Sequence, residues 1–255
     1  MNVLKKIAQA TVAFLIGTMF AFVVFHSVFV SAVKLPTVEE IQDFDNVSVN
    51  LPAQEQNALR KSRNSTVRIF SEFNGGISNL SGTYFTAKNR YFVLTAMHGI
   101  IGDCAQTKIW SPSGFTECLQ FVALNETIDY AIIELKGEIP SKEPIKLPQL
   151  VPKGKGWERA LAAQNKVFYT GFPNSTGPLT FSGNIIGYME GDYIYLQSFG
   201  WGGSSGAGVF TCDGEFIGYL LALDVGETEE YGVDVLEDIV IVVPAFKIDW
   251  TTILN

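Results

Sequence analysis

The sequence has few of the groups that bind nucleic acids or metal ions. Its 18 Lys and Arg residues stand against 26 Asp and Glu residues, which gives a net charge of −8. Nucleic-acid binding needs a basic surface that neutralises phosphates, so this composition argues against a nucleic-acid partner. Two histidines and three scattered cysteines offer no spacing typical of metal ligands. We therefore expect no nucleic acid, no metal and no other cofactor.

Three cysteines cannot all pair within the chain. Cys104 and Cys118 could form one disulfide in an oxidising compartment, or they could be small buried hydrophobic residues. The sequence leaves both interpretations open. Cys212 is expected to be a buried structural thiol.

Charge is absent from one long N-terminal stretch. Lys5 and Lys6 precede residues 7–33, which contain no Asp, Glu, Lys or Arg. As a helix this stretch would span about 40 Å, more than the roughly 30 Å of bilayer hydrocarbon, whereas a secretory signal has an apolar region of about 7–15 residues. We predict an uncleaved single-pass membrane anchor with the remainder on the non-cytoplasmic side, periplasmic or extracellular. Because Val30-Ser31-Ala32 offers small residues for cleavage, a secreted protein is the alternative.

The rest of the chain is rich enough in hydrophobic residues, 47% of the total, to build a large core. We divide it into a signal or anchor segment at 1–33, a stalk at 34–59 and one domain at 60–255. Helices are predicted at 53–63 and 248–254, and the segment 136–165 is predicted to connect two lobes. Short β-like runs separated by turn residues predict an all-β domain, a sandwich or barrels. The predicted strands are 67–73, 82–87, 91–96, 107–111, 116–123, 130–135, 167–171, 179–189, 193–197, 208–211, 216–223 and 239–243.

Histidine is the side chain whose pKa allows it to take a proton from a serine hydroxyl near neutral pH. One of the two histidines, His26, lies inside the apolar stretch, so His98 is the single candidate base in the remaining sequence. It closes the apolar run 91–98, where the end of a strand would hold it rigidly. A lone histidine is also an ordinary structural residue, so this interpretation depends on its partners.

Asp129 and Ser205 occur in contexts that would suit such a base. Asp129 begins a largely apolar run, and a carboxylate there could accept a hydrogen bond from the imidazole and fix its tautomer. Ser205 lies among the glycines of residues 201–210. Gly203 would let its own backbone N–H and that of Ser205 point at one spot, and Gly206 would leave room for a substrate. Taken singly, each of these is also a common turn.

In combination, these motifs resemble those of the trypsin-like (chymotrypsin-fold) serine proteases. The likeness is greatest to the protease domain of the bacterial HtrA/DegP type and covers residues 60–255. It rests on the order His, Asp, Ser in the chain and on several motifs. These are Thr95-Ala96-Met97-His98, Asp129-Tyr130-Ala131-Ile132-Ile133-Glu134-Leu135, Gly171-Phe172-Pro173, Gly203-Ser204-Ser205-Gly206-Ala207-Gly208, Asp213-Gly214-Glu215-Phe216 and Val242-Val243-Pro244.

The resemblance implies two antiparallel six-stranded β-barrels, with His98 and Asp129 on the first and Ser205 on the second. It implies a serine endopeptidase acting on protein or peptide substrates. Ser205 would attack the scissile carbonyl, His98 would take and return the proton, and Asp129 would orient the imidazole. The backbone N–H groups of Gly203 and Ser205 would form the oxyanion hole. A protease-like module on a membrane stalk that binds peptides without cleaving them is the alternative.

The layout of the family also implies a primary specificity pocket lined by Phe199, Tyr219, Leu220 and Leu221. None of these residues is acidic, so cleavage after Arg or Lys is not expected. HtrA-type enzymes usually carry PDZ modules after the protease, and we expect a protease domain without one. The sequence does not predict an oligomeric state.

Overall fold

The computed structural model describes residues 51–146, 160–189, 192–228 and 232–254, together with Thr11, Thr18 and Met19. For residues 222–237 and 254 it describes no side chains. One compact unit runs from Leu51 to Asn255. Apart from Thr11, Thr18 and Met19, the predicted anchor lies outside the described residues, as does the predicted stalk before residue 51. In the described part of the chain, no helix has the length and apolarity needed to cross a membrane.

The described residues form thirteen β-strands and two helices within this unit. The helices are α1 (Ala53–Ser65) and α2 (Thr251–Leu254). The strands are β1 (Thr66–Phe73), β2 (Gly76–Ala87), β3 (Arg90–Ala96), β4 (Thr107–Ser111), β5 (Gly114–Asn125), β6 (Tyr130–Leu135), β7 (Ile145–Lys146), β8 (Lys166–Gly171), β9 (Leu179–Met189), β10 (Tyr193–Gln197), β11 (Gly208–Thr211), β12 (Phe216–Thr228) and β13 (Gly232–Pro244).

These strands close into two six-stranded antiparallel barrels, as predicted. The first has the order β1-β4-β5-β6-β3-β2 and closes through the pairing of β1 with β2. The second has the order β10-β13-β12-β11-β8-β9. The short β7 pairs with β2 in parallel and adds a seventh strand to the first sheet.

Strand β3 is apolar on both faces because it separates two cores. Phe92 and Leu94 point into a core shared with residues of the second barrel, whereas Val93 points into the core of the first barrel. Alternate side chains of a strand point to opposite faces, so burial on both sides requires an unbroken apolar run. The strand is therefore anchored from both sides up to Ala96, and His98 follows two residues later.

The observed elements differ from the prediction mainly at their ends. The first helix ends at Ser65 rather than at 63, and the second begins at Thr251 rather than at 248. The carboxylate of Asp249 explains the later start, since it accepts hydrogen bonds from the backbone N–H and the hydroxyl of Thr251, at 3.0 and 2.6 Å. Strands β12 and β13 are longer than predicted because they pair with each other far beyond the barrel core.

Two of the cysteines form a disulfide. Cys104 and Cys118 are bonded, and their Cα atoms lie 5.4 Å apart. Cys212 is a free thiol and is half-buried rather than buried, which corrects the sequence-based expectation. It lies just after β11, where its thiol donates a hydrogen bond to the carbonyl of Lys166 at 3.4 Å.

Candidate active site

His98 lies in a 3-10 turn, Met97–Gly99, that begins where β3 ends. Asp129 bonds this turn at three points. Its backbone carbonyl accepts from Met97 N–H at 3.0 Å, its Oδ1 accepts from His98 N–H at 2.7 Å, and its Oδ2 lies 2.6 Å from His98 Nδ1. One carboxylate therefore fixes both the backbone and the ring of the histidine. The other ring nitrogen, Nε2, is left for a proton-transfer partner.

The backbone of Asp129 has an unusual conformation that is supported from the second barrel. Its φ of 61° lies in the left-handed region, which aspartate tolerates better than most residues. The hydroxyl of Tyr219, on β12, donates to the carbonyls of Ile128 and Asp129 at 2.9 and 3.2 Å. Because Tyr219 is fully buried, this support is rigid. Its burial also raises the pKa of the phenol, which stays protonated and keeps donating.

The carboxylate of Asp129 raises the pKa of His98 above the ordinary value for histidine. The hydrogen bond between them is the main cause; partial burial of the ring opposes it, and the charge of Asp129 adds to it. The imidazole side chain remains 48% exposed, so solvent and substrate can reach it. This environment stabilises the imidazolium, which is the form that a general base must pass through.

We expect the raised pKa of His98 to appear in the pH dependence of catalysis. Only the neutral imidazole can accept a proton, so kcat/KM should rise with pH through a midpoint above about 6.5, the ordinary histidine pKa. The measurement is kcat/KM of the full chain against pH, with a peptide substrate that has no ionisable side chain. A midpoint at or below that value would contradict the described environment of the imidazole.

Ser205 lies in the loop between β10 and β11, with glycines on either side that the packing requires. Gly203 has a φ of +95°, and a Cβ on it would come within 2.6 Å of the Phe172 carbonyl oxygen. Gly206 has a φ of +87°, and a Cβ on it would come within 2.2 Å of the Ser81 carbonyl oxygen. The sequence-based expectation that Gly206 leaves room for substrate is therefore corrected: it leaves room for the first barrel.

The backbone N–H groups of Gly203 and Ser205 donate no hydrogen bond to any group that the structure describes. The carbonyls on the far side of the same peptides are occupied: Gly202 O accepts from Asn174 N–H at 2.7 Å, and Ser204 O accepts from Ala207 N–H at 3.0 Å. In a planar trans peptide, C=O and N–H point in opposite directions. The amides of Gly203 and Ser205 thus have no acceptor among the described residues, which leaves both donors available to a substrate oxygen, as an oxyanion hole requires.

Contacts across the two barrels place the loop 198–207, called the nucleophile loop after the role predicted for Ser205, against the end of β3. A Cβ on Gly206 would lie 2.9 Å from the Cα of Thr95, three residues before His98. Ser81 N–H also donates to the carbonyl of Ser205 at 3.0 Å. Among the described residues, no hydrogen bond joins the His98 ring to the Ser205 hydroxyl. The structure thus pairs His98 with Asp129 directly and brings the Ser205 loop beside them.

The four predicted pocket residues fall into two groups. Tyr219 and Leu220 are 0% and 2% exposed and belong to the shared core. Leu221 is half-buried at the edge of that core, and Phe199 is exposed in the nucleophile loop. Only Phe199 and Leu221 thus present side-chain surface that a substrate could contact, and the pocket stays a prediction.

Sequence reasoning did not predict how two residues, Tyr219 and Ser81, hold the site together. The hydroxyl of Tyr219 supports Asp129, and Ser81 bonds the nucleophile loop. No local pattern marks either residue, because both act on partners distant in the sequence. In the ranges that the structure describes, no group of three or more His, Cys, Asp or Glu residues could hold a metal ion.

Comparison with known proteins agrees with this geometry. Residues 80–218, which include His98, Asp129 and Ser205, match the sequence profile of the trypsin-like peptidase domain. The chain belongs to the trypsin-like peptidase family. This membership makes the peptidase a serine endopeptidase of the hydrolase class, as the sequence predicts. No curated protein matches the sequence of this peptidase.

The fold of this peptidase is also similar to that of solved bacterial proteases. The serine endoprotease from Yersinia pestis superposes with a TM-score of 0.60 at 20% identity, over 81% of this chain and 69% of that one. The HtrA-type protease AlgW, solved with a tripeptide, superposes with a TM-score of 0.59 at 17% identity, over 80% of this chain and 64% of that one. The peptidase therefore spans about two thirds of the length of these structures. At such identities the likeness concerns the fold.

Proposed function

We propose that this peptidase hydrolyses peptide bonds with Ser205 as the nucleophile, His98 as the general base and Asp129 as the residue that orients the base. The observation that carries the proposal is the pairing of one carboxylate with both the backbone N–H and the ring Nδ1 of His98. This pairing places the ring proton on Nδ1. The lone pair on Nε2 is then available to the serine hydroxyl.

The proposed reaction proceeds through an acyl-enzyme. Ser205 Oγ forms a bond to the scissile carbonyl carbon while its proton moves to His98 Nε2, and the carbonyl electron pair moves onto the oxygen. His98 then gives its proton to the leaving amine as the peptide C–N bond breaks. A water molecule, deprotonated by His98, attacks the acyl-enzyme and releases the acid product with Ser205 restored.

The unpaired amides of Gly203 and Ser205 would stabilise the negative oxygen formed in both steps. Donors that are fixed before the reaction need no reorganisation when the charge develops, so they lower the barrier more than water would. For the substrate, we propose an apolar side chain at the primary position, since the accessible predicted pocket residues, Phe199 and Leu221, carry no charge. A digest of a peptide library tests this, and equal cleavage after Arg and after Val would contradict it.

We also propose that the peptidase is exported and held in a membrane by residues 7–33. The disulfide between Cys104 and Cys118 supports an oxidising compartment, since disulfides are rare in the cytosol. The uncharged stretch after Lys5 and Lys6 supports the anchor. Alkaline carbonate extraction tests it: the full chain should stay with the membranes, and a version that starts at residue 34 should be released. Release of the full chain would contradict the anchor.

Labelling with a fluorophosphonate tests the proposed nucleophile. The reagent bonds to an activated serine oxygen and loses fluoride, and a serine without a base does not react at a comparable rate. We expect one label per chain, located at Ser205 by peptide mass spectrometry and suppressed when His98 is replaced by Ala. An unlabelled chain that still binds peptides would instead support the non-cleaving module on a membrane stalk.

A further inference from the structure

Ser81 connects the first barrel to the nucleophile loop through several of its atoms. It lies in β2 and is fully buried, and its backbone N–H donates to the carbonyl of Ser205 at 3.0 Å. Its hydroxyl donates to the carbonyl of Gly203 at 2.7 Å and accepts from Phe172 N–H at 2.9 Å. A Cβ on Gly171 would come within 2.8 Å of this hydroxyl oxygen, so the glycine makes room for it.

The direction of these bonds is determined by their partners. Phe172 N–H can only donate, so it occupies a lone pair of the Ser81 oxygen. The hydroxyl proton then goes to the carbonyl of Gly203, which can only accept. These two bonds, one accepted and one donated, therefore hold the hydroxyl of Ser81 in a single orientation.

The bond to Gly203 O fixes the peptide that lies between the two oxyanion-hole peptides. Its carbonyl end is held by Ser81, and its N–H end, which belongs to Ser204, donates to the carbonyl of Trp201 at 2.9 Å. A planar group that is bonded at both ends cannot rotate about the chain direction. The peptides on either side carry the N–H groups of Gly203 and Ser205 and are joined to the central peptide through the Cα atoms of Gly203 and Ser204. Holding the central peptide therefore restrains both neighbouring donors.

We infer that Ser81 is a positioning residue for catalysis, whose hydroxyl holds the Gly203 and Ser205 amides at the oxygen of the transition state. This inference rests on the proposed function. Ser81 contacts no reacting atom and acts through the nucleophile loop. A buried hydroxyl with a merely structural role would change the stability of the fold, but it would not change how strongly the site prefers a tetrahedral oxyanion over a bound product.

Replacing Ser81 with Ala in the full chain tests the inference by kinetics. We expect kcat to fall by about 10- to 100-fold with KM within about twofold, because the lost interaction matters only when the oxyanion forms. The matched control is Ser111→Ala, which removes another buried hydroxyl of the first barrel, on β4; that hydroxyl bonds to Ser113, Gly114 and Ser141 and to no residue of the nucleophile loop. The control should leave kcat unchanged.

A peptide aldehyde separates positioning from a general effect on binding. Ser205 Oγ adds to the aldehyde carbon while its proton moves to His98 Nε2, and the former carbonyl oxygen takes up the electron pair in the oxyanion hole. The product peptide of the same sequence forms no such bond. In Ser81→Ala we expect the inhibition constant of the aldehyde to rise about tenfold or more, and that of the product peptide to stay unchanged. Equal losses for both ligands, or an unchanged kcat, would overturn the inference.

Thermal unfolding of each variant shows whether it folds. If Ser81→Ala does not fold, Ser81→Cys takes its place, because a thiol fills the space and is a weaker donor. Its kcat should fall as well, and an unchanged kcat would overturn the inference. A wild-type chain that neither cleaves peptides nor takes the fluorophosphonate label would overturn the proposed function instead, so the two failures have different signatures.

Discussion

Replacement of Ser205 with Ala is expected to lower kcat by about 10⁶-fold, to the rate that binding and the oxyanion hole alone can sustain. The Ser205 oxygen is the proposed nucleophile, and the backbone of the same residue carries one of the two unpaired amides proposed to form the oxyanion hole. The measurement is cleavage of a peptide substrate by the full chain, with the folded fraction determined by thermal unfolding.

Ser204 provides the matched control for this substitution, since it is the neighbouring serine in the same loop. It is 1% exposed, and its hydroxyl has no hydrogen-bond partner among the described residues. Removing an unpaired buried hydroxyl should not weaken the fold and can strengthen it. We expect Ser204→Ala to keep its activity. Loss of activity in Ser204→Ala with retention in Ser205→Ala would reverse the assignment of the nucleophile.

Replacement of Asp129 with Asn is expected to lower kcat by about 10⁴-fold while leaving the fold intact. The reason lies in the two bonds that the carboxylate makes. The backbone N–H of His98 needs an acceptor at 2.7 Å, so the amide oxygen of an asparagine would take the place of Oδ1. The amide NH₂ would then face Nδ1 and donate to it. This places the ring proton on Nε2, where it blocks transfer from Ser205.

The pH dependence distinguishes this mechanism from simple loss of structure. Without the negative charge the pKa of His98 should fall, so the acidic limb of the kcat/KM profile should move to lower pH in Asp129→Asn. The unfolding midpoint should change little, since an asparagine keeps the bond to the His98 backbone. An active Asp129→Asn with an unmoved pH profile would show that Asp129 does not orient the base.

The sequence alone could predict the parts of the structure that local pattern encodes. Most strands of both barrels begin and end within a few residues of their predicted limits, because turn residues and alternation mark them. The sequence predicts His98 and Asp129 as partners, and His98 Nδ1 lies 2.6 Å from Asp129 Oδ2. The two-residue strand β7 was missed because so short a segment has no periodicity, and its pairing with β2 depends on where the connection between the lobes lies.

Contacts between distant segments could not be predicted. The Ser81 hydroxyl bonds a carbonyl 122 residues further along the chain, and a serine within a strand carries no sign of such a partner. The layout of the family places Tyr219 in a substrate pocket, and nothing in the sequence around it shows that its buried hydroxyl bonds the carbonyl of Asp129. Each lobe thus supplies a support for the catalytic residues of the other.

Because the catalytic residues of each half are held by bonds from the other half, the order of folding determines when the enzyme becomes active. The first barrel is synthesised before Tyr219 and Ser205, which lie on the later half of the chain. The later half, in turn, lacks the bonds from Ser81 to Gly203 and Ser205 until it meets the first. Hydrolysis should therefore begin only after both halves have joined. A newly made, incompletely folded copy then does not cleave the unfolded chains around it, including other copies of itself.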